Sequence, residues 1–201
     1  MKEMFRLAFV LTLIAAGAGL VLSLVETVTR EPIAEQRRLE TLRALQAVRP
    51  PIDNSPDADT VALSVGRDRK GRELTRTFYR GRRGEDLAGV AFKVTAPDGY
   101  SGNITIMVGV EPDGTVAGIE ILSHAETPGL GDKIEEPWFK DTFRGKNLDN
   151  ADWRVKKDGG DFDQITGATI SPRATVGAVR SGLEYYRQHR DEIAGTKGGT
   201  Q

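Results

Sequence analysis

The sequence contains no cysteine. This excludes disulfides, thiolate metal sites, cysteine-ligated iron–sulfur clusters and cysteine nucleophiles together. It also leaves the chain free to reside in an oxidising compartment without thiol chemistry. Histidine is scarce: His124 and His189 are the only two, so no multi-histidine metal centre is expected. Neither sign of charge is in surplus, with 28 Lys and Arg against 29 Asp and Glu in 201 residues. That balance gives no footprint for nucleic acid and no solvated acidic block. There is no Gly-x-Ser-x-Gly elbow and no His-Glu-x-x-His, and the glycines are not placed in a β-α-β dinucleotide unit. No hydrolytic or metal-based catalytic set is expected.

One long apolar run is present. Leu7 to Val25 carries no charge, about the ~20 residues a helix needs to cross a bilayer core. Ala16-Gly17-Ala18 resembles a signal cleavage site, but the apolar run continues through Leu20, Val21, Leu22, Leu24 and Val25. A signal h-region is shorter, so residues 1–28 read as an uncleaved anchor in the lipid bilayer. Lys2 and Arg6 precede the run, while Arg30, Arg37, Arg38 and Arg43 follow it. Counting positive charge therefore leaves the orientation open.

Leu39, Leu42 and Leu45 recur at helical steps between Pro32 and Val48, and Pro50-Pro51 stops the pattern. Residues 29–50 are expected to form a helical stalk, or a helix packed on the domain, with Pro32 in its first turn. Ile52 to Arg72 is polar, with a short strand expected near Val61 to Val65. Leu74 to Tyr79 and Leu87 to Thr95 read as strands. Ile104, Ile106, Val108 and Val110 alternate with Asn103, Thr105, Met107 and Gly109, which predicts a half-buried strand. Glu111-Pro112-Asp113-Gly114 turns it into a return strand, Thr115 to Leu122. Pro137 to Phe143 suggests a short amphipathic helix with Trp138 and Phe143 in the core, and Asp152 to Lys156 a short strand. The lysines of Lys156-Lys157-Asp158-Gly159-Gly160 are within reach of a phosphate in the loop that follows, but a solvated pair on a turn is the preferred reading. His124 reads as structural, and His189 as solvated. The tail 195–201 is rich in Gly and Thr and is expected to be disordered.

Two loops carry candidate chemistry. Asp163-Gln164-Ile165-Thr166-Gly167-Ala168-Thr169-Ile170-Ser171-Pro172 leads into an apolar helical stripe, Val176, Val179, Leu183 and Tyr186. Ser171-Pro172 reads as an N-cap and first helical residue. Thr169 then lies just outside a helix N-terminus, where free N–H groups and the helix dipole favour phosphate. Taken alone, the same stretch also fits an ordinary capped loop. The second loop is Glu126-Thr127-Pro128-Gly129-Leu130-Gly131, irregular because of its glycines and proline. Its glycines admit close backbone approach to a ligand. A structural crossover is its bland alternative. Together the loops suit an anionic, planar cofactor.

Asp163-x-x-Thr166-Gly167-Ala168-Thr169 resembles the flavinylation motif of proteins that carry FMN through a phosphoester bond to threonine. Glu126-Thr127-Pro128-Gly129-Leu130-Gly131 resembles the second signature of the same FMN-binding domain family, and Gly99-Tyr100-Ser101-Gly102 fits its place before the hairpin. The likeness covers essentially the whole chain. Its best match is to the G subunits (RnfG, RsxG) of the Rnf electron-transport complex, with the NqrC subunits of sodium-pumping NADH:quinone oxidoreductase as a related alternative. A flavin-free binding or assembly module of the same fold is a third reading.

This resemblance implies an α+β domain, a twisted antiparallel sheet with flanking helices, preceded by one transmembrane helix. It implies FMN attached covalently to Thr169 by a flavin transferase, rather than to Ser171. Thr166, Gly167, Ala168, Glu126, Thr127, Gly129 and Leu130 are the implied cofactor-binding neighbours, and Asp163 belongs to the sequence the transferase recognises. It implies a single-pass protein of the inner (cell) membrane whose FMN domain, residues 51–194, is extracytoplasmic. Its partners are then the other Rnf subunits, and its role is to pass electrons in an ion-translocating ferredoxin/NAD oxidoreductase rather than to act as a stand-alone enzyme.

Overall fold

The computed structural model describes the backbone of residues 2–48, 58–67, 71 and 73–195, and the side chains of 2–27, 58–66, 71 and 73–195. The chain forms two compact units, residues 1–40 and 41–201.

Helix α1, Lys2–Val48, is continuous. Pro32, expected in the first turn of a helix, lies instead inside this one. A proline inside a helix forfeits its own N–H but does not oblige the chain to stop. The residues around Pro50-Pro51, expected to stop the helix, lie outside the described residues. Within α1, Lys2–Thr27 is long and apolar enough to cross a membrane. Its described side chains are exposed all round, the pattern of a helix whose solvent is lipid rather than water. The hydroxyls of Thr12 and Thr27 donate back to the carbonyls of Ala8 and Ser23, both at 2.8 Å. Each is thereby satisfied within the helix, as an apolar medium requires.

Five antiparallel strands form a meander in the order β1-β2-β3-β4-β5. They are β1 Thr60–Arg67, β2 Glu73–Arg83, β3 Asp86–Ala96, β4 Ile104–Val110 and β5 Val116–Ser123. Each strand expected in this region is present, and β2 runs on past Tyr79 to Arg83. Phe78, Phe92, Val94, Ile106, Val108, Ile119 and Ile121 point to one face through the cross-strand register. Helix α3, Ile170–Gln188, lies on that face and buries Val176, Val179, Leu183 and Tyr186, the stripe read from spacing. Gly182 permits the close approach, because a Cβ there would stand 2.6 Å from Val94 and 2.8 Å from Phe92.

The expectation of a half-buried β4 is corrected. Met107 and Gly109 on its supposed solvent side are buried as well. Ala91, Met107, Tyr79 and Leu122 form a second, smaller cluster on that face.

Helix α2, Pro137–Asp141, is the expected short helix, but its core residue is Phe139, while Trp138 is 45% exposed. Phe143 is buried as expected. Phe143, Trp153 and Phe162 pack together, with the Phe162 ring 4.8 Å from Phe143 and 4.7 Å from Trp153. The Trp153 indole N–H donates to the Asn147 carbonyl at 2.9 Å, so its burial strands no donor. Asp152 to Lys156 is not a strand. It contributes one bridge, Val155 with Phe162, before a single 3-10 turn over Lys156–Asp158. After α3 comes α4, Arg190–Ala194. His189 caps α3, stacks on Tyr185 at 4.0 Å and bonds the Tyr185 carbonyl through Nδ1 at 3.0 Å. It is therefore packed rather than merely solvated. Residues 196–201 of the expected disordered tail lie outside the described residues.

Candidate functional site

The site is built where three loops meet at the start of α3. The aromatic cluster of Phe143, Trp153 and Phe162 anchors the segment leading into Asp163. From there the chain makes a four-residue turn, Ile165 to Ala168, closed by the Ala168 N–H donating to the Ile165 carbonyl at 3.1 Å. Gly167 occupies its third position with φ +83°, a conformation that L side chains avoid. The turn delivers Thr169 to the N-cap of α3.

The expected capping is corrected. The helix begins at Ile170, and Ser171 is inside it, buried, with its hydroxyl donating to the Glu126 carboxylate Oε2. Ser171 is occupied by a partner across the fold rather than by a cap. Thr169 makes no side-chain cap hydrogen bond, so its hydroxyl is not consumed by the helix.

Glu126 joins the three loops. Its Oε1 accepts the Ser101 backbone N–H at 3.0 Å, and its Oε2 accepts from Ser171. The carboxylate is buried, where each unmet acceptor costs about 1–3 kcal/mol. The glycines around it are the space it needs. A Cβ on Gly131 would lie 2.6 Å from Ser171 Oγ and 2.8 Å from Glu126 Oε2, and one on Gly99 would lie 2.9 Å from Glu126 Oε1. The Glu126 N–H donates to His124 Nδ1 at 3.0 Å, which leaves the ring proton on Nε2, 2.9 Å from Glu135. His124 is structural, as its position after β5 suggests.

A cavity of about 400 Å³ opens above this junction, lined by Glu126, Thr127, Leu130, Gly167, Ala168 and Thr169, with Tyr100, Gly131, Ile170 and Ser171. Six of the eight residues expected at the site thus share one cavity. Thr166 and Gly129 lie in the same loops but not in its lining: Thr166 is an exposed turn residue, and Gly129 donates its N–H to Asp132 Oδ2 at 2.9 Å. Tyr100, Leu130 and Ile170 are respectively 67%, 41% and 45% exposed, an apolar rim left uncovered beside polar Thr169. Ile170 is absent from the residues expected at the site, although an apolar residue just after the motif is a visible signal.

Charge converges on the same place. Lys156 pairs with Asp163, and the Arg173 guanidinium pairs with Asp158. The hydrogen bond from Arg173 holds the Asp158 carboxyl below the usual carboxylate range. Lys157 differs from its neighbours: its Nζ lies 3.3 Å from Thr169 Oγ1. Both lysines are exposed on a turn, as expected of a solvated pair, and each also meets a partner at the site, Lys156 the Asp163 carboxylate and Lys157 the Thr169 hydroxyl.

Residues 99–184 match the FMN-binding domain family, and residues 1–48 match the RnfG N-terminal region. The chain is 40% identical over 200 residues to the G subunit of the ion-translocating oxidoreductase complex of Aliivibrio fischeri, covering 96% of this chain and 95% of that one. It is 42% identical over 201 residues to the corresponding G subunit of Pseudomonas aeruginosa, covering 96% and 92%. The chain belongs to the family of G subunits of ion-translocating oxidoreductase complexes. The fold of this G-subunit family member is shared with Shewanella oneidensis NqrC (TM-score 0.52, 22% identity, 74% of this chain and 70% of that one). It is shared too with the C subunit of the Na(+)-translocating NADH-quinone reductase of Parabacteroides distasonis (TM-score 0.57, 16% identity, 83% and 97%).

The cavity fits the group its domain family is named for. Tyr100, Leu130, Ala168 and Ile170 offer apolar surface to a planar ring system. The α3 start and Lys157 offer positive potential to a phosphate.

Proposed function

We propose that this chain is the electron-carrier G subunit of a membrane-bound Rnf-type ferredoxin/NAD oxidoreductase, with FMN covalently attached to Thr169. The observation that carries the attachment is the state of the two rival hydroxyls. Ser171 is buried and committed to Glu126, while Thr169 faces the cavity with no cap to serve. A flavin transferase matures the protein. Thr169 Oγ1 bonds to the flavin-side phosphorus of FAD, the P–O–P bond breaks and AMP leaves. The hydroxyl proton passes to solvent, and no electrons change hands.

FMN held in this way supplies the redox chemistry. The chain contributes position, an apolar cover and charge. Leu130, Gly167 and Ala168 shape the cavity beside the acceptor, Thr127 adds a hydroxyl, and Glu126 holds the loops in register. Residues 1–28 anchor the protein in the inner membrane, 29–50 act as the stalk, and 51–194 form the FMN domain on the extracytoplasmic side. A tether through phosphate suits that side, because a flavin lost there is lost to the cell. The chain's identity to its G-subunit relatives favours Rnf-type partners over an NqrC-like role, since its NqrC neighbours share only the fold.

The test is co-expression with a flavin transferase and ultraviolet viewing of a denaturing gel. A fluorescent wild-type band that is absent in Thr169→Ala and present in Ser171→Ala is expected. A dark wild-type band with active transferase contradicts the reading.

A further inference from the structure

We propose that Lys157 is the positioning residue for the phosphate at Thr169, neutralising its charge during transfer and after attachment. The inference rests on Thr169 being the point of attachment. A phosphodiester carries one negative charge, and the chain brings to its oxygen one ammonium that is in no close ion pair, its nearby carboxylate Asp158 being bonded to Arg173. Lys157 Nζ stands 3.3 Å from Thr169 Oγ1.

The neighbouring cations are otherwise engaged. Lys156 is held by Asp163, Arg173 by Asp158 and Arg154 by Asp152. Among the described residues, no carboxylate lies within ion-pair distance of Lys157 Nζ.

The placement is built into the backbone. Lys157 sits in a 3-10 turn that ends at Gly159 with φ +85°. The chain then doubles back so closely that a Cβ on Gly160 would lie 2.1 Å from the Arg154 carbonyl oxygen. The Lys156 N–H donates to the Phe162 carbonyl at 2.7 Å, which ties the turn to the aromatic cluster. The Lys-Lys-Asp-Gly-Gly stretch thus presents one ammonium to the acceptor hydroxyl across 12 residues of chain.

Lys157 is exposed, so its contribution is that of a solvent-screened charge. The expected effect of its removal is a loss of about fivefold in transfer rate. The experiment uses the full-length apo-protein in detergent with purified flavin transferase and FAD. Wild type, Lys157→Ala, Lys157→Arg and Thr169→Ala are followed by in-gel flavin fluorescence, and the loaded proteins by phosphorus NMR.

Lys157→Ala is expected to label about fivefold more slowly and to move the phosphodiester resonance, with Lys157→Arg restoring both. Wild-type rate and resonance in Lys157→Ala, with Thr169→Ala dark, overturn the role of Lys157 and leave the attachment standing. Slower labelling with an unmoved resonance also overturns it, since the lysine is then read by the transferase and does not hold the phosphate. An unlabelled wild type defeats the attachment itself.

Discussion

The Ser171 hydroxyl donates to the Glu126 carboxylate across 45 residues of sequence, and both groups are buried. This bond fastens the start of α3 to the loop after β5, and the second carboxylate oxygen fastens both to Ser101. Removing either side chain strands its partner. Glu126→Ala and Ser171→Ala are each expected to destabilise the domain by about 1–3 kcal/mol in urea unfolding. The double variant should cost about 1 kcal/mol less than the sum of the singles, because they share one bond. Full additivity in that cycle would show the two groups to be uncoupled.

Gly131→Ala tests the space around the same junction. The new Cβ meets Ser171 Oγ at 2.6 Å and Glu126 Oε2 at 2.8 Å. A loss of about 1–3 kcal/mol is expected from the forced displacement, read as a lower urea midpoint. Flavin loading at Thr169 should fall with it, since the cavity wall moves. A midpoint equal to wild type contradicts the packing described.

The apolar rim predicts how the ring is held. In a Thr169→Ala background, which removes the covalent bond, Leu130→Ala is expected to weaken the binding of free FMN about tenfold, the equivalent of ~1.4 kcal/mol of lost apolar contact. Fluorescence quenching titration measures it. Unchanged affinity would remove Leu130 from the ring's surroundings.

Alkaline stability is set partly by Tyr186. Burial pushes its phenol up to about 12 from the ordinary 10. A raised folded-state value contributes stability that is fully present below the unfolded value and is lost as pH rises through the folded one. The domain should therefore lose about 2 kcal/mol between pH 10 and pH 12 through this group. Tyr186→Phe gives up the hydrogen bond to the Pro112 carbonyl at 3.2 Å, so it starts lower at neutral pH but should fall less steeply above pH 10. Parallel profiles for the two proteins would refute the assignment.

Local elements are legible in the sequence where one periodicity governs them. Val176, Val179, Leu183 and Tyr186 announce the buried face of α3, and the alternation from Ile104 to Val110 announces β4. Expectation and structure part where tertiary contacts decide. Met107 reads as facing solvent because Ala91, Tyr79 and Leu122 come from other strands and their convergence has no local signature. Trp138 and Phe139 are adjacent and equally apolar, and only the docking of α2 decides which is buried. Ser171 before Pro172 has the local chemistry of an N-cap, yet Glu126 draws its hydroxyl inward. At the site, Thr169 and the Glu126 loop are legible from their residues. The lysine pair is legible as cations within reach of a phosphate, but which of the two meets Thr169 is not, because that depends on the turn being tied back to Phe162 and on Asp163 taking Lys156.

The bond at Thr169 is the centre on which cofactor, cavity and lysine depend. Tandem mass spectrometry of proteolytic peptides from the full-length protein, matured by a flavin transferase, locates that bond. The prediction is one FMN, less one water, on Thr169 of the peptide spanning Asp163 to Arg173, with Ser171 unmodified. The same mass on Ser171 or Thr166, or an unmodified peptide from protein with active transferase, would contradict it.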